Sequence, residues 1–302
     1  MNADGADLAW LGLRRDGEGQ WSFELTSPLS RMDGKLYGGT GIAVMVATME
    51  AETAREALWT TVQYAGSADI GERIDCKVDV LATGRRTSQV RMTATVGDRI
   101  VLAAIGATGA TRTGPIELEV ATMPEVPSPD ECDSWGSMRS WHDPDRPTGW
   151  LQIADMRHVE DGGAVWARMK SGHQTRATVS FLADMVPSSV VRAAGKMGGG
   201  TSLDNSVRFA RLVDTEWILL DMDPWFGTGG YVHGAARVWA EDGTLLGIAS
   251  QTATAMVWDG AMPPWLSDGG NYPRSQSAST SERIQEEGRP EVVAFIAQEE
   301  NR

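Results

Sequence analysis

Hydrophobic and polar positions follow two different periods in the first third of the chain. Residues 42–54 are small or apolar on nearly every side, with Glu50 as their first charge, which predicts a buried helix. Thr40 is suitably placed to cap its start. Apolar and polar residues then alternate through four segments, and each predicts a strand: residues 58–65, 70–81, 87–96 and 99–108. Short turns separate these segments, so we expect antiparallel neighbours.

The same order of elements recurs in the second half. Residues 164–169 predict a strand, and residues 178–194 predict an apolar helix that is bent or broken at Pro187. Further strands are predicted at residues 203–211, 216–222, 231–240 and 245–257. The sequence therefore predicts an α+β chain of two tandem units, each a long central helix wrapped by an antiparallel sheet.

Composition marks the boundaries between these units. Residues 113–150 are rich in proline and tryptophan and are interpreted as a linker, while residues 259–302 are polar and predict a flexible tail. The predicted organisation is an irregular lead-in (1–20), a first unit (21–112), the linker (113–150), a second unit carrying the catalytic residues (151–258) and the tail (259–302).

Charge and cysteine content exclude several classes of function. The 302 residues carry a net charge of −14, which argues against a nucleic-acid surface because phosphate binding needs clustered lysine and arginine. Two cysteines make neither a disulfide framework nor a four-ligand zinc site, and the four histidines show no metal spacing. No leader or membrane-spanning run is visible, so a cytoplasmic protein without metal or membrane contact is expected.

Polar residues at the ends of predicted strands and helices are the candidates for chemistry. Asp204 follows a run of glycines and Gln251 lies on the last strand, although each also fits a structural role as a turn acid or a strand amide. Asp184 on the second helix is a further candidate. The glycines around Gly39 lack the Lys-Ser/Thr of a phosphate-binding loop, so they are interpreted as packing the helix start against a sheet. Free N–H groups there could polarise a carbonyl oxygen.

Several short motifs, in order, resemble the type II acyl-CoA thioesterases, the TesB-like family with a double hotdog fold. The resemblance covers residues 21–258, and its motifs are Leu-Tyr-Gly-Gly at 36–39, Phe-Leu-Ala-Asp at 181–184, Ser-Leu-Asp at 202–204, Glu-Trp-Ile-Leu at 216–219 and Ala-Ser-Gln at 249–251. It implies that an aspartate, a Ser/Thr hydroxyl and a glutamine hold a catalytic water. By position these are Asp204, Thr228 and Gln251, although Trp225 stands at the ungapped position of the hydroxyl.

The resemblance also implies substrate-binding residues, which are Tyr37, Gly38, Gly39 and Arg208. One departure is Asn205, which stands where the family usually has histidine after the aspartate. Residues 209–211 likewise read Phe-Ala-Arg where many members have aromatic-His-Arg.

The implied function is hydrolysis of fatty acyl-CoA to a carboxylic acid and coenzyme A, which is part of the substrate, with no further cofactor. One site per chain is expected, because Gly106 or Ala107 stands in the first half where the second has Gln251. A homodimer or higher homo-oligomer fits such folds. Two alternatives remain open: an enoyl-CoA hydratase or dehydratase that uses His233, and a non-catalytic acyl-CoA-binding protein.

Overall fold

An antiparallel sheet with a few helices forms the part of the chain that the structure describes. The structure is a computed structural model, and it describes residues 5–110, 114, 116–134, 148–159, 163–172 and 174–257. The tail predicted at residues 259–302 lies outside the described residues.

The first half begins with short elements and continues with one long helix and four long strands. Residues 1–20, predicted to be irregular, include a helical turn and a strand. The elements are α1 (Ala6–Trp10), β1 (Arg14–Gly17), β2 (Gln20–Glu24), α2 (Gly38–Thr53), β3 (Glu56–Tyr64), β4 (Arg73–Thr83), β5 (Thr87–Val96) and β6 (Arg99–Gly109).

The second half repeats this order with a broken helix. Its elements are β7 (Asp133–Ser134), β8 (Ala154–His158), β9 (Ala164–Met169), α3 (Arg176–Leu182), α4 (Val186–Ala193), β10 (Gly198–Phe209), β11 (Ile218–Thr228), β12 (Tyr231–Ala240) and β13 (Leu245–Val257). Single 3-10 turns occur at Ser27–Leu29, Pro129–Glu131 and Gly149–Gln152. Most predicted strands are confirmed to within three residues, but β10 begins five residues before its predicted start and β11 ends six residues after its predicted end. Strands β7 and β8 are not among the predicted ones.

All of these strands belong to one sheet that continues from the first half into the second. Their order is β1-β2-β4-β5-β6-β3-β10-β13-β12-β11-β9-β8-β7, and every pairing is antiparallel. The order of the second half mirrors that of the first about the β3–β10 pair. At this seam the hydroxyls of Thr61 and Ser206 are 2.8 Å apart. The predicted antiparallel pairing is therefore confirmed, and the strands of the two halves follow the same order.

Helix α2 is buried along most of its length, as its uniformly apolar sequence predicts. Every residue from Gly38 to Met49 is buried, and the helix packs against β3, β4, β6 and α3. It begins two residues before the predicted cap, since Tyr37 is the N-cap. Thr40 lies inside the first turn, where its hydroxyl donates to the carbonyl of Leu29 at 2.8 Å.

The second half has two short helices where one long central helix was expected. Helix α3 ends at Leu182 and α4 begins at Val186, with Pro187 in its first turn. A continuous helix would need an N–H at Pro187 to bond the carbonyl of Ala183, and proline has none. The chain therefore breaks between these residues, and the expectation of a long helix is wrong for this half.

The two halves share one hydrophobic core. Its fully buried members come from both, among them Phe23, Met45, Phe181 and Leu220. No helix in the described ranges is long and apolar enough to cross a membrane. This shared core lies next to the break between α3 and α4, since Leu182 and Met185 on either side of the break belong to it.

Candidate active site

The break between α3 and α4 carries a buried acid, Asp184. Asp184 is only 8% exposed. A carboxylate buried in this way needs hydrogen-bond donors around it, because water no longer solvates it. Asp184 finds these donors on both halves of the chain.

Two side-chain amides converge on one oxygen of this carboxylate. Nδ2 of Asn205 donates to Oδ1 of Asp184 at 3.0 Å, and Nε2 of Gln251 donates to the same Oδ1. Nε2 of Gln251 also donates to the hydroxyl oxygen of Ser202 at 2.8 Å. The glutamine amide therefore joins the acid and the hydroxyl in one cluster.

A β-bulge in β10 brings Ser202 and Asn205 to the same face of the sheet. Three positions separate them, so regular alternation would place their side chains on opposite faces. Ser202 pairs with Ala253, Asp204 with Thr252 and Asn205 with Gln251, so the register shifts by one residue at Leu203. The extra residue resets the alternation, as bulges near functional sites commonly do.

The start of α2 closes the cluster from the first half. The backbone N–H of Gly39 donates to the Asp184 carboxylate. A Cβ on Gly38 would lie 2.5 Å from Oδ2 of Asp184, and one on Gly39 would lie 2.3 Å from the carbonyl oxygen of Phe181. Gly38 and Gly39 therefore permit close packing against the α3–α4 break. The predicted packing against the sheet is found at Gly41, where a Cβ would lie 3.1 Å from Tyr64 of β3 and 3.2 Å from Leu102 of β6.

Two tyrosines hold this glycine turn in place. The hydroxyl of Tyr64 donates to the carbonyl of Gly38 at 2.6 Å, and that of Tyr37 donates to the carbonyl of Phe181 at 3.2 Å. The Tyr37 ring also stacks on Trp150, with centroids 5.1 Å apart. Burial raises the pKa of both hydroxyls well above the usual value, so both stay protonated at neutral pH.

Burial also changes the acidity of Asp184. Desolvation raises its pKa from 3.8 to about 7, although hydrogen bonds from Gln251, Gly39 and Asn205 and the charge of Arg31 act in the opposite direction. A carboxyl with this pKa can accept and return a proton near neutral pH, as a general base must.

Two amide oxygens in the cluster have no hydrogen-bond partner within the described part of the chain. They are Oδ1 of Asn205 and Oε1 of Gln251, and their residues are 0% and 3% exposed. Buried acceptors without partners are rare in native proteins. Here they provide acceptors for a bound water or substrate.

The structure brings some of the predicted site residues together and places others elsewhere. Tyr37, Gly38, Gly39 and Gln251 belong to the cluster. Asp204 projects from the opposite face of β10 to its neighbour Asn205, and its carboxylate accepts a hydrogen bond from the Thr252 N–H at 3.0 Å.

Thr228 and Arg208 also lie outside the cluster. Thr228 is exposed at the end of β11, and β12 lies between it and the strand of Gln251. Thr228 is also three residues away along the strand direction, so the backbones of Thr228 and Gln251 are about 14 Å apart. Arg208 is exposed on β10, opposite Trp59 and Ile248. The catalytic roles of Asp204 and Thr228 and the substrate-binding role of Arg208 stay predictions that this geometry does not favour.

Sequence reasoning missed Ser202, Tyr64 and Trp150 as members of the site. Ser202 belongs to the Ser-Leu-Asp motif, but the bulge that selects its face leaves no clear signal in the sequence. Tyr64 and Trp150 come from other segments of the chain and meet Gly38 and Tyr37 only in the fold. Asp184 carried one usable signal, an acid placed three residues before Pro187 in an apolar helix.

The cluster has no metal-ligating character. Among the residues that the structure describes, no group of three or more His, Cys, Asp or Glu side chains could hold a metal ion. Nδ1 of His233, the residue suspected of hydratase chemistry, lies 3.2 Å from the hydroxyl of Thr252, and its ring contacts Phe226.

Comparison with known families gives matches across both halves. The profile of the acyl-CoA thioesterase N-terminal domain matches residues 25–110, and that of the acyl-CoA thioesterase C-terminal domain matches residues 120–255. A search of curated protein sequences returned no match.

Solved structures match over most of the chain. A putative thioesterase from Novosphingobium aromaticivorans is 25% identical with a TM-score of 0.72, and the match covers 82% of this chain and 98% of that one. The tesB protein of Mycobacterium avium subspecies paratuberculosis is 21% identical with a TM-score of 0.66, covering 84% and 99%. A hot dog fold protein of unknown function from Alicyclobacillus acidocaldarius is 21% identical with a TM-score of 0.70, covering 84% and 98%.

These matches and the geometry together define a thioester hydrolase with the hotdog fold. The chain belongs to the acyl-CoA thioesterase family. It hydrolyses acyl-CoA thioesters.

Proposed function

We propose that Asp184 is the general base of acyl-CoA hydrolysis, and that Gln251 and Ser202 complete the group that holds the attacking water. The observation that carries this proposal is the Gln251 amide, which bonds both the Asp184 carboxylate and the Ser202 hydroxyl oxygen. The proposal keeps the residue types expected from the resemblance and assigns the acid and the hydroxyl to different positions of this chain.

The reaction requires only one proton carrier. Asp184 takes a proton from water while the water oxygen attacks the thioester carbonyl carbon and forms a tetrahedral intermediate. The C–S bond then breaks, and the coenzyme A sulfur takes that proton from Asp184, which leaves a carboxylic acid and a free thiol. A base with a pKa of about 7 suits both transfers, and such catalysis contributes roughly 10²–10⁴-fold.

The start of α2 is the proposed site of carbonyl polarisation. The first N–H groups of a helix have no partner within it. The Gly39 N–H donates to Asp184, so the adjacent Gly38 N–H is the donor assigned to the thioester oxygen. Donors fixed in this way stabilise the negative charge that develops on that oxygen.

The finer features of the function are also proposals. We assign fatty acyl-CoA as the substrate class and one site per chain, within two tandem hotdog units that share the sheet through β3 and β10. In the first half, neither Gly106 nor Ala107 on β6 offers the side-chain amide that Gln251 supplies in the second. A cytoplasmic location, a homo-oligomeric state and the lack of a further cofactor stay predictions from the sequence.

The hydratase alternative has less support in this geometry. It needs a histidine paired with an acid, and the contacts of His233 are a threonine hydroxyl and a phenylalanine ring. The alternative of a non-catalytic binding protein rested on the lack of a placed hydroxyl, and Ser202 provides one.

The test compares Asp184, in the break between α3 and α4, with Asp204, which projects from the opposite face of β10 to Asn205. Release of free thiol from a panel of acyl-CoAs is measured for the wild type, Asp184→Asn and the matched control Asp204→Asn. We expect Asp184→Asn to lose about 10²–10⁴-fold in kcat. Asp204→Asn should stay within a few-fold of the wild type.

A second pair of variants tests the hydroxyl in the same assay. Ser202→Ala should lower kcat, while Thr228→Val should leave it nearly unchanged. Loss of turnover in Asp204→Asn and Thr228→Val, with Asp184→Asn and Ser202→Ala active, would sink the proposal and favour the positions expected from the resemblance.

A further inference from the structure

Asn205 is in contact with the proposed base but has no part in the proton transfer described above. It is completely buried on the inner face of β10. The backbone ladders hold it from both sides, because it pairs with Val62 of β3 and with Gln251 of β13. Its side chain therefore has a fixed position at the seam between the two halves.

The Asn205 amide selects which oxygen of Asp184 takes up the proton. A carboxylate oxygen has two lone pairs, and those of Oδ1 receive the N–H groups of Asn205 and Gln251. The other oxygen, Oδ2, lies against Gly38 at the start of α2. Even with the Gly39 N–H on the same carboxylate, Oδ2 keeps a free lone pair, so it is the oxygen available to a proton arriving from water. Oδ2 faces the helix start that is proposed to polarise the carbonyl.

The orientation of this amide follows from the charge of its partner. With the amide turned over, Oδ1 of Asn205 would face Oδ1 of Asp184, and two acceptors would repel each other. The observed orientation donates to the carboxylate and leaves the buried Oδ1 of Asn205 as an acceptor for a bound molecule. An asparagine does this without a charge of its own at any pH.

We propose that Asn205 is a positioning residue, which holds Asp184 ionised and oriented so that the proton is taken up at Oδ2. This inference rests on the proposed function, since it acts through Asp184. The inference assigns a role to the neutral side chain of Asn205. An ionisable side chain at this position would titrate as well and would change the charge next to Asp184 with pH.

The other charged or titratable groups near Asp184 do not obscure its titration. Tyr37 and Tyr64 face it from α2 and β3, and both hydroxyls have a pKa well above the usual value. The Arg31 guanidinium lies close enough to lower the pKa of Asp184 and is itself paired with Asp33. Asp204, on β10, is near enough to act on the Tyr64 hydroxyl.

The test is the pH dependence of kcat/KM for thiol release, which reports the ionisation of the free enzyme. The wild type should lose activity below a pH of about 7, where Asp184 becomes protonated. In Asn205→Asp a second carboxylate replaces the donor, and we expect this acid limb to move up by at least about one pH unit. At pH 7 the ionised fraction then falls from about one half to about one eleventh, a loss of about five- to sixfold, part of which returns at higher pH.

Two further variants separate positioning from a general effect on the fold. Asn205→Leu removes the donor without adding charge, so its acid limb should move in the same direction by a smaller amount. Ser206→Ala is the matched control, because it removes a buried hydrogen bond on the next residue of the same strand, and its limb should not move. Thermal unfolding of each variant checks folding. If Asn205→Asp does not fold, the shift in the pH dependence of kcat/KM is measured in Asn205→Leu.

The outcomes also distinguish this inference from the proposed function. An inactive Asp184→Asn together with unmoved acid limbs in both Asn205 variants would overturn the positioning role alone. A uniform loss at every pH in those variants would do the same, because it indicates a structural role. An active Asp184→Asn would overturn the proposed function and this inference with it.

Discussion

At the residue scale, Gly38 shows how closely the two halves approach each other in the site. Its missing side chain leaves room for Oδ2 of Asp184, which would lie 2.5 Å from a Cβ. Real Cβ atoms do not approach an oxygen so closely, so either the carboxylate or the helix start must move. A displacement of this kind near reacting atoms costs on the order of 10²-fold in rate.

We therefore expect Gly38→Ala to lower kcat for acyl-CoA hydrolysis by about 10²-fold. Gly199→Ala is the matched control, since a Cβ there meets no atom within 4 Å and its strand also belongs to the site. Steady-state thiol release measures both variants. Equal activity in Gly38→Ala and Gly199→Ala would show that the approach of Oδ2 to Gly38 has no catalytic importance.

The sequence could identify some members of the site and not others, for a physical reason. Gln251 and the glycines after Tyr37 stand in short local motifs that the fold keeps together. Asp204 and Ser202 stand in one motif as well, two positions apart, so a regular strand would place both side chains on one face. The bulge between them places them on opposite faces, and only Ser202 faces Gln251. Bulges depend on the partner strands, so the sequence of β10 alone does not determine this choice.

At the scale of elements, the contact between α1 and α3 depends on one buried acid. Oδ1 of Asp7 accepts hydrogen bonds from the hydroxyl of Thr175 at 2.8 Å and from the indole of Trp10 at 2.9 Å. Thr175 is the N-cap of α3, and Asp7 is only 1% exposed. This acid thus joins the first helix of the chain to the start of the helix that leads to Asp184.

We predict that Asp7→Ala lowers the free energy of unfolding by about 1–3 kcal/mol, because it leaves two donors without their acceptor. Asp7→Asn should cost less, since the amide oxygen can still accept both bonds. Urea denaturation monitored by tryptophan fluorescence gives these values. An unfolding midpoint in Asp7→Ala equal to that of the wild type would show that the contact adds nothing to stability.

The helices illustrate what a hydrophobic pattern can and cannot predict. The apolar run of α2 predicted a buried helix, and burial from Gly38 to Met49 confirms it. The second run has a similar composition, but Pro187 splits it into α3 and α4. The proline predicts a possible break, whereas the position of Asp184 in that break depends on packing against the first half.

At the scale of the whole molecule, buried acids make stability depend on pH. Glu50 near the end of α2 is mostly buried, and desolvation raises its pKa from 4.5 to about 7, despite a hydrogen bond from the Ala57 N–H. Between these two pH values the folded chain keeps a proton that the unfolded chain has released. Stability from this group therefore falls as pH rises through that window, and Asp184 acts in the same direction.

We expect Glu50→Gln to lose less stability than the wild type between pH 5 and pH 8. The amide stays neutral and can still accept the Ala57 N–H, so the part of the loss that comes from Glu50, on the order of 3 kcal/mol, should disappear while the part from Asp184 remains. Chemical denaturation at the two pH values measures the difference. If wild type and variant lose the same amount, Glu50 is not the source of the dependence.

The bulge in β10 has a further consequence for how related chains can be compared. Removing one residue at Leu203 or Asp204 would restore a regular ladder in which Ser202 and Asn205 are two positions apart and still share a face. A relative without the bulge can therefore present the same two side chains from a strand that is one residue shorter. An alignment that allows gaps only in loops would pair Ser202 with the wrong residue in such a relative.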